Sequence, residues 1–306
     1  MTERVQVHDV AVRDGFQIEP AFVPTDAKVA LIDELSQCGL AKIEVSSFVS
    51  PRAVPNLRDA EEVFSRIRRV PGVVYVALVP NLRGADRAVA ARADEINLVM
   101  SASESHNRAN VNRSTDESLA GFGEILRAVE DRVRVNGSVS TAFGCPFEGD
   151  VPEDRVLRFV ERYLDLGMDG VTLADTTGMA HPRQVSRLTR EVLRRFPRIA
   201  LTLHFHNTRG MGLANVVAAL EAGGRKFDAS LGGLGGCPFA PGATGNICTE
   251  DLVHMLHAMG YDTGVDLDRL LRSARKLPGI VGHDVPGQVA KAGKISDLHP
   301  APRSTT

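Results

Sequence analysis

The stretch GVTLADTTGMAHPRQVSRLTREVLRRFPRIALTLHFH, residues 170–206, decides the predicted fold. Its first six residues are typical of a buried strand, and residues 199–206 form a second apolar run of strand length. Between these runs, Pro182 to Arg195 reads as a helix with proline near its start. A strand, a helix and a second strand in this order predict a right-handed crossover between two parallel strands.

The same alternation extends through most of the chain. Strand-like runs occur at eight places: 5–12, 41–48, 73–80, 94–101, 133–143, 170–175, 199–206 and 226–232. A helical pattern or a loop follows each run, and the helix predicted over 115–131 begins with a capping box at Ser114 and Glu117. Eight such units in about 230 residues predict an α/β fold, a closed (β/α)8 barrel. A doubly wound sheet is the alternative, but the turn after the first run, RDGFQ, lacks the glycine-rich phosphate pattern of that fold.

We divide the chain into two parts. Residues 1–265 are the predicted barrel domain, including a glycine-rich lid at 232–246. Residues 266–306 are a predicted C-terminal helical extension and tail.

Composition excludes several classes of protein. With 36 Lys and Arg against 38 Asp and Glu, the chain has no positive excess with which to bind nucleic acid. Four cysteines without a CxxC pair are too few for a disulfide scaffold or a thiolate zinc site. We find no signal peptide and no apolar run of the roughly 18 residues that a membrane helix needs. We therefore expect a cytoplasmic protein with no membrane or nucleic-acid partner.

The motif His204-Phe-His206 is the sharpest chemical signal. Residues two apart on a strand point to the same side, so both imidazoles would face the barrel mouth and could share a metal. The plainer interpretation is two buried, hydrogen-bonded histidines. Asp14, after the first strand, offers a carboxylate, and Asn246 offers an amide oxygen. Nitrogen and oxygen ligands without thiolate suit Mg²⁺ or Mn²⁺, although Zn²⁺ or Fe²⁺ would also accept them.

Further candidate residues lie at the same predicted edge. Arg13 is either a solvated ion-pair partner of Asp14 or a fixed cation for a developing oxyanion. Cys237, in the predicted lid, is either a small structural residue or a proton donor or nucleophile. Glu44 and Asp175 bring acidic side chains to the ends of the second and sixth strands.

Several motifs together resemble the 3-hydroxy-3-methylglutaryl-CoA (HMG-CoA) lyases, which are metal-dependent (β/α)8 barrels. The resemblance runs from about residue 7 to residue 264. The motifs are VRDGFQ (12–17), FGCPFEG (143–149), DTTG (175–178), HFHNTRGMGLAN (204–215) and GGLGGCPFAPGATGN (232–246). The last of these is the most specific, whereas RDG and HxH are shared with related synthases and aldolases.

The resemblance implies a set of residue roles and a reaction. Asp14, His204, His206 and Asn246 match the family's metal ligands. Arg13 matches its catalytic arginine, Cys237 its loop cysteine, and Glu44 and Asp175 its further acidic positions. The implied reaction is retro-Claisen cleavage of HMG-CoA to acetyl-CoA and acetoacetate. His204 or Asp14 would accept the hydroxyl proton, and the enzyme would be a homodimer acting on an acyl-CoA.

Other functions remain open at this point. A related lyase would cleave citramalyl-CoA or a longer branched 3-hydroxyglutaryl-CoA. A Claisen-type synthase using acetyl-CoA, a hydroxy-keto-acid aldolase and a non-catalytic acyl-CoA-binding protein are further alternatives. The pathway, leucine breakdown or another branched-acid route, is not determined by these motifs.

Overall fold

A computed structural model of the chain describes residues 2–236 and 245–298. Its eight parallel strands form a closed barrel in chain order. The barrel closes where β1 pairs with β8, with Gln6 opposite Lys226 and Asp9 opposite Ala229. The predicted (β/α)8 barrel is therefore confirmed. The strands are β1 Gln6–Asp9, β2 Lys42–Ser47, β3 Val74–Leu78, β4 Glu95–Ser101, β5 Arg134–Ser140, β6 Gly170–Asp175, β7 Leu201–Phe205 and β8 Lys226–Ala229.

Helices follow the strands and cover the outside of the barrel. The predicted capping box is present, because the Ser114 hydroxyl accepts the Glu117 N–H at 3.1 Å and the Glu117 carboxylate accepts the Ser114 N–H at 2.7 Å. Such a cap stabilises a helix by about 1 kcal/mol. The helices are α1 Thr25–Ser36, α2 Ala60–Arg66, α3 Leu82–Ala90, α4 Glu104–Val111, α5 Thr115–Val129, α6 Glu153–Asp165, α7 Pro182–Arg195, α8 Gly212–Glu221, α9 Thr249–Ala258, α10 Leu267–Ala274, α11 Leu277–Val281 and α12 Val289–Ala292.

The first strand is shorter than the sequence predicts. It ends at Asp9, and Ala11–Gly15 form a π-helical turn. The Asp9 carboxylate accepts the Ala11 N–H at 2.9 Å, which turns the chain away from the strand direction. Arg13 and Asp14 therefore lie on this turn rather than at a strand end.

The helix α4 was not predicted. Its sequence has no apolar stripe, since the side chains that it buries are polar, His106 and Asn107. A local cap starts it instead, because the Ser103 hydroxyl accepts the His106 N–H at 3.1 Å. Buried polar contacts therefore hold this helix where hydrophobic periodicity is missing.

The interior of the barrel is more polar than usual. Barrel strands of this fold commonly fill the interior with branched apolar side chains. Here the apolar strand residues such as Val7, Ile43 and Val171 belong to the buried hydrophobic core. Many inward positions carry polar side chains instead. These are the buried His8, Glu44, Asn136, Ser138, Thr172, Thr202 and His204 and the half-buried Asn97. Small polar side chains leave an internal cavity at the place where other barrels are packed.

The C-terminal helices α10 and α12 pack against α9. The Asp251 carboxylate on α9 accepts the N–H groups of Gln288 and Val289 at 2.7–3.0 Å, and α10 packs against α1 and α9. The division at residue 265 stays a prediction. No helix within residues 2–236 and 245–298 combines the length and apolarity needed to span a bilayer.

Candidate active site

A cavity of about 540 Å³ occupies the barrel. Gly236, on the first stem of the glycine-rich loop, borders it at the carboxyl ends of the strands. Lys42 and Glu95, the first residues of β2 and β4, border it at the opposite end. The predicted site residues that line this cavity are Arg13, Asp14, Glu44, His204 and His206.

Asp14, His204 and His206 converge on one point. One ligand atom from each residue lies within 4.8 Å of the other two, and all three residues are buried. The two histidine Nε2 atoms are 3.1 Å apart. His204 is on β7 and His206 is just beyond its end, so the two-residue spacing brings both imidazoles to the same side as predicted.

Asn246 joins this group from the second stem of the glycine-rich loop. Its Nδ2 donates to Asp14 Oδ2 at 2.7 Å and to the Leu234 carbonyl at 2.9 Å, and its Oδ1 is buried without a partner among the described residues. Gly235 has φ +102°, and a Cβ there would lie 2.7 Å from Asn246 Nδ2 and 2.8 Å from Asp14 Oδ2. Only glycine therefore allows the first stem to approach the triad so closely.

These donors fit a divalent metal ion. All are nitrogen or oxygen atoms, and the unpaired Asn246 Oδ1 is a buried acceptor that a cation would satisfy. Asp14, His204, His206 and Asn246 are thus the residues that could hold such an ion.

Asp228 supports His204 from the neighbouring strand β8. Its Oδ2 lies 3.3 Å from His204 Nδ1, and its Oδ1 lies 2.9 Å from His8 Nδ1. An ionised carboxylate only accepts hydrogen bonds, so both imidazoles donate through Nδ1, which leaves the His204 Nε2 lone pair for a metal. We did not select Asp228 from the sequence, although its place between Phe227 and Ala229 on a strand was a signal that it points inward.

Arg13 is a buried and fixed cation. Its Nε donates to Glu44 Oε2 at 2.5 Å, and one terminal nitrogen donates to Asp14 Oδ1 at 2.7 Å. Burial opposes the charge on Arg13, but Glu44 and Asp14 raise its pKa above the usual value. Burial likewise opposes the charge on Asp14, but Arg13 and the two histidines hold the pKa of Asp14 below its usual value. Arg13 and Asp14 are thus ionised and oriented in advance, whereas burial raises the pKa of Glu44 in spite of its contact with Arg13.

The two histidines differ in their electrostatics. Burial and the neighbouring His204 lower the pKa of His206 to about 3, so His206 is neutral and keeps a lone pair. Burial also disfavours charge on His204, but the Asp228 and Asp14 carboxylates raise its pKa above the usual value. The lowered pKa of His206 suits a metal ligand. On His204, whose pKa is raised, a cation would have to displace the proton from Nε2.

Two predicted residues are not brought into this cluster. Asp175 ends β6, where its Oδ1 accepts the Met179 N–H at 2.8 Å, and it is not among the described residues that border the cavity. Burial raises the pKa of Asp175 to about 6. Cys237 lies outside the described residues. The catalytic roles of both residues stay predictions.

Known proteins are similar to this chain over almost its whole length. The family model described as HMGL-like matches residues 4–277. A hydroxymethylglutaryl-CoA lyase of Bacillus subtilis is 44% identical over 96% of this chain and 99% of its own length. An (R)-citramalyl-CoA lyase of Chloroflexus aurantiacus is 43% identical over 96% of both chains.

A solved structure is also similar to this chain over almost its whole length. An HMG-CoA lyase from Acinetobacter baumannii, in complex with coenzyme A and 3-methylmalate, is 57% identical. It superposes with a TM-score of 0.95 over 97% of this chain and 98% of its own. From this match and the family model we conclude that the chain belongs to the HMGL-like family.

Proposed function

We propose that this protein is a divalent-metal-dependent carbon–carbon lyase that cleaves HMG-CoA to acetyl-CoA and acetoacetate. The observation that carries the proposal is the convergence of Asp14, His204 and His206 beside the buried cation Arg13. The high identity to HMG-CoA lyases over almost the whole chain supports the same reaction.

The metal ligands proposed are Asp14, His204, His206 and Asn246, and the ion is Mg²⁺ or Mn²⁺. Oxygen and imidazole donors without thiolate support this choice. When bound, a divalent ion supplies Lewis-acid charge that lowers the pKa of the substrate's tertiary hydroxyl.

The proton moves first. His204 or Asp14 accepts the hydroxyl proton, and the bond between C2 and C3 of the acyl group then breaks. The electron pair of this bond stays on C2, which becomes the enolate carbon of acetyl-CoA. C3 becomes the ketone carbon of acetoacetate. Protonation of the enolate carbon completes acetyl-CoA, so the proton removed from the hydroxyl is balanced by the one added. Cys237 is the donor that we propose for this step.

Arg13 stabilises the enolate. Its guanidinium cannot lose a proton at neutral pH, and Glu44 and Asp14 hold it in one orientation. A fixed cation in a buried site needs no reorganisation when charge develops on the thioester oxygen. Glu44 is therefore proposed as the residue that orients Arg13. Asp175 is proposed as a further acid, and the exclusion of water by a closed lid would protect the enolate.

A second candidate substrate is citramalyl-CoA. The Chloroflexus relative is named for this activity at an identity close to that of the lyases named for HMG-CoA, and 3-methylmalate is bound to the Acinetobacter structure. We place HMG-CoA first because more of the similar proteins carry that name. A cytoplasmic homodimer acting in leucine degradation is the corresponding cellular proposal.

A substrate panel tests the proposal. Purified protein is incubated with HMG-CoA or citramalyl-CoA, and the keto acid and acetyl-CoA are identified by mass spectrometry. We expect acetoacetate from HMG-CoA, loss of activity with a chelator, and recovery with Mg²⁺ or Mn²⁺. Activity that survives complete metal removal would contradict the metal assignment, and cleavage of citramalyl-CoA alone would replace the first substrate with the second.

A further inference from the structure

The lower part of the cavity is lined by polar side chains that the proposed reaction does not use. We call this region the interior pocket and define it by His8, Asn97, Asn136, Ser138, Thr172 and Thr202. Five of these residues are buried within the barrel, and Asn97 is half-buried. A pocket of this kind needs an explanation, because packed apolar side chains would stabilise the barrel interior better.

One wall of the interior pocket has its hydrogen bonds satisfied within the protein. Asn136 Nδ2 lies 3.0 Å from both Asn97 Oδ1 and Thr172 Oγ1, and the Ser138 hydroxyl donates to Asn97 Oδ1 at 2.8 Å. Asn97 Nδ2 in turn lies 3.4 Å from Glu44 Oε1. This wall is therefore a connected polar network that holds its shape without a ligand.

The opposite wall leaves one strong hydrogen-bonding atom unused. His8 stands on β1 directly opposite Asp228 in the strand register, and its Nδ1 donates to Asp228 Oδ1 at 2.9 Å. Its Nε2 is buried and has no partner among the described residues. His8 itself is 3% exposed. An unpaired imidazole nitrogen in such a place costs free energy unless a ligand or water satisfies it.

The chemistry of the substrate identifies the group that would reach this pocket. This step rests on the proposed function. The carbinol carbon of a 3-hydroxyglutaryl-CoA carries four substituents. The hydroxyl and the free carboxylate arm belong at the metal ligands, and the thioester arm must lead out through the mouth to CoA. The fourth substituent, a methyl in HMG-CoA, is left to face the barrel interior.

We infer that His8 and the interior pocket select 3-hydroxyglutaryl-CoA esters whose C3 branch carries oxygen. Methyl offers His8 no hydrogen bond, whereas a hydroxyl-bearing branch donates to the Nε2 lone pair that Asp228 leaves free. His8 is thus a specificity residue for the branch, and the satisfied wall of Asn97, Asn136 and Ser138 supplies the shape around it.

Two isosteric esters test this inference. The branches are ethyl and hydroxymethyl, which have the same number of heavy atoms but differ in one hydroxyl. Retro-Claisen cleavage of either ester releases acetyl-CoA, so one assay reads both, and HMG-CoA is run beside them. We measure kcat/KM and take the ratio of hydroxymethyl to ethyl in the wild type and in His8→Leu. Dividing one ratio by the other cancels the intrinsic reactivity of the two esters.

We expect the hydroxymethyl-to-ethyl ratio to exceed 1 in the wild type and to fall at least tenfold in His8→Leu. His8→Gln, which keeps an acceptor oxygen, should retain part of the preference. Val7→Ala is the matched control. Val7 is next to His8 in the chain and is buried in the hydrophobic core, so its truncation tests loss of packing alone. It should leave the hydroxymethyl-to-ethyl ratio unchanged. Dissociation constants of the two esters, measured by calorimetry on slowly reacting Arg13→Gln protein, should show the same preference.

Three results would overturn the inference. These are a wild-type ratio at or below 1, a ratio that His8→Leu changes by less than twofold, and equal dissociation constants for the two esters. In each case the unpaired nitrogen holds only water, or His8 acts only through Asp228. The HMG-CoA measurement separates these outcomes from failure of the proposed function, because HMG-CoA turnover does not depend on an oxygen in the branch.

Discussion

Two clusters of buried acids lie at the same end of the barrel, and only the first of them contains a buried cation. In the first, which we call the Arg13 cluster, Asp14 and Glu44 contact a guanidinium at 2.5–2.7 Å. In the second, the Glu250 cluster, Asp9 and Glu250 are bonded to backbone N–H groups and one hydroxyl. Burial raises the pKa of Asp9 to about 6 and that of Glu250 to about 7. In the Arg13 cluster the pKa of Asp14 is lowered, whereas burial raises the pKa of Glu44 in spite of its contact with Arg13.

The two clusters differ in what their side chains do. The Arg13 cluster belongs to the proposed reaction, and the Glu250 cluster anchors a loop. In the proposed reaction the Arg13 cluster lies beside a metal ion and stabilises an enolate, and both roles need charged side chains. The Glu250 cluster holds the first stem of the glycine-rich loop, since Glu250 accepts the Gly232 N–H at 3.0 Å and Asp9 accepts the Leu231 N–H at 2.9 Å. Anchoring of this kind needs hydrogen-bond acceptors but no net charge. Neutralising Arg13 should therefore lower the activity, whereas neutralising Glu250 should raise the stability of the folded protein.

The largest effect is expected for Arg13→Gln. The substitution removes the fixed cation while keeping a polar side chain, so kcat should fall by roughly 10²–10³-fold, the usual cost of losing one oxyanion donor. Steady-state kinetics with HMG-CoA measure it. The control is Arg187→Gln, which breaks an exposed ion pair to Glu153 and should leave kcat unchanged. Near wild-type turnover of Arg13→Gln would show that the charge of this cluster is not used in the reaction.

The second prediction is that neutralising the other cluster stabilises the protein. Burial disfavours the carboxylate of Glu250 and raises its pKa from 4.5 to about 7 in the folded chain. Between these pH values the folded protein holds a proton that the unfolded chain has released, so stability falls as pH rises through this window. Above pH 7 the cost is about 3 kcal/mol, at 1.36 kcal/mol per pKa unit. Glu250→Gln should recover this amount at pH 8 and have little effect at pH 4.5.

Urea unfolding of both proteins at pH 4.5, 6 and 8 measures this difference. The exposed Glu161 on α6 provides the control, because Glu161→Gln should leave the pH dependence of the unfolding free energy as in the wild type. If Glu250→Gln destabilises the protein at every pH, the carboxylate form is required there and the two clusters do not differ as described.

The contrast between the clusters also shows what sequence can and cannot predict. The alternation of strand-like and helical segments predicts eight strands and hence the barrel. Because side chains two residues apart on a strand point to the same side, the sequence alone also predicts that His204 and His206 lie together. The π-helical turn of Ala11–Gly15 does not, because it depends on a hydrogen bond between Asp9 and the Ala11 N–H rather than on a repeating pattern.

Contacts made by barrel closure are the other part that sequence did not predict. His8 and Asp228 are 220 residues apart and meet only because β1 pairs with β8. The pairing of Arg13 with Glu44 likewise depends on the turn and on β2 together. The residue types at the strand ends predicted which residues belong to the site. The contacts that support those residues depend on how distant strands pair, which no local sequence pattern specifies.

The third prediction extends the Arg13 cluster to β8. Asp228→Asn keeps the size of the side chain but removes the carboxylate that orients His204, so metal affinity should weaken by about 10–100-fold. Calorimetric titration with Mn²⁺ measures it. Asp169→Asn is the control, since Asp169 also accepts a hydrogen bond, from the Val135 N–H at 2.8 Å, but precedes β6 at the far end of the barrel. An unchanged dissociation constant for Asp228→Asn would limit the charged cluster to the first strands and β7.

The smallest effect is expected where the C-terminal segment reaches the first βα loop. His283 Nε2 lies 2.7 Å from Glu19 Oε2, and the backbone carbonyl of Asp284 and the Glu19 carboxylate raise the pKa of His283. A raised imidazole pKa contributes stability that is complete below the unfolded pKa of about 6.5 and is lost as pH rises through the folded value. Because the His283 side chain is 45% exposed, solvent screening reduces this contribution to a few tenths of a kcal/mol. His283→Gln should therefore lower the melting temperature slightly at pH 5.5 and hardly at pH 8.5. The difference should shrink in 1 M salt, and a large loss at both pH values would show that this contact anchors the C-terminal segment by packing instead of by charge.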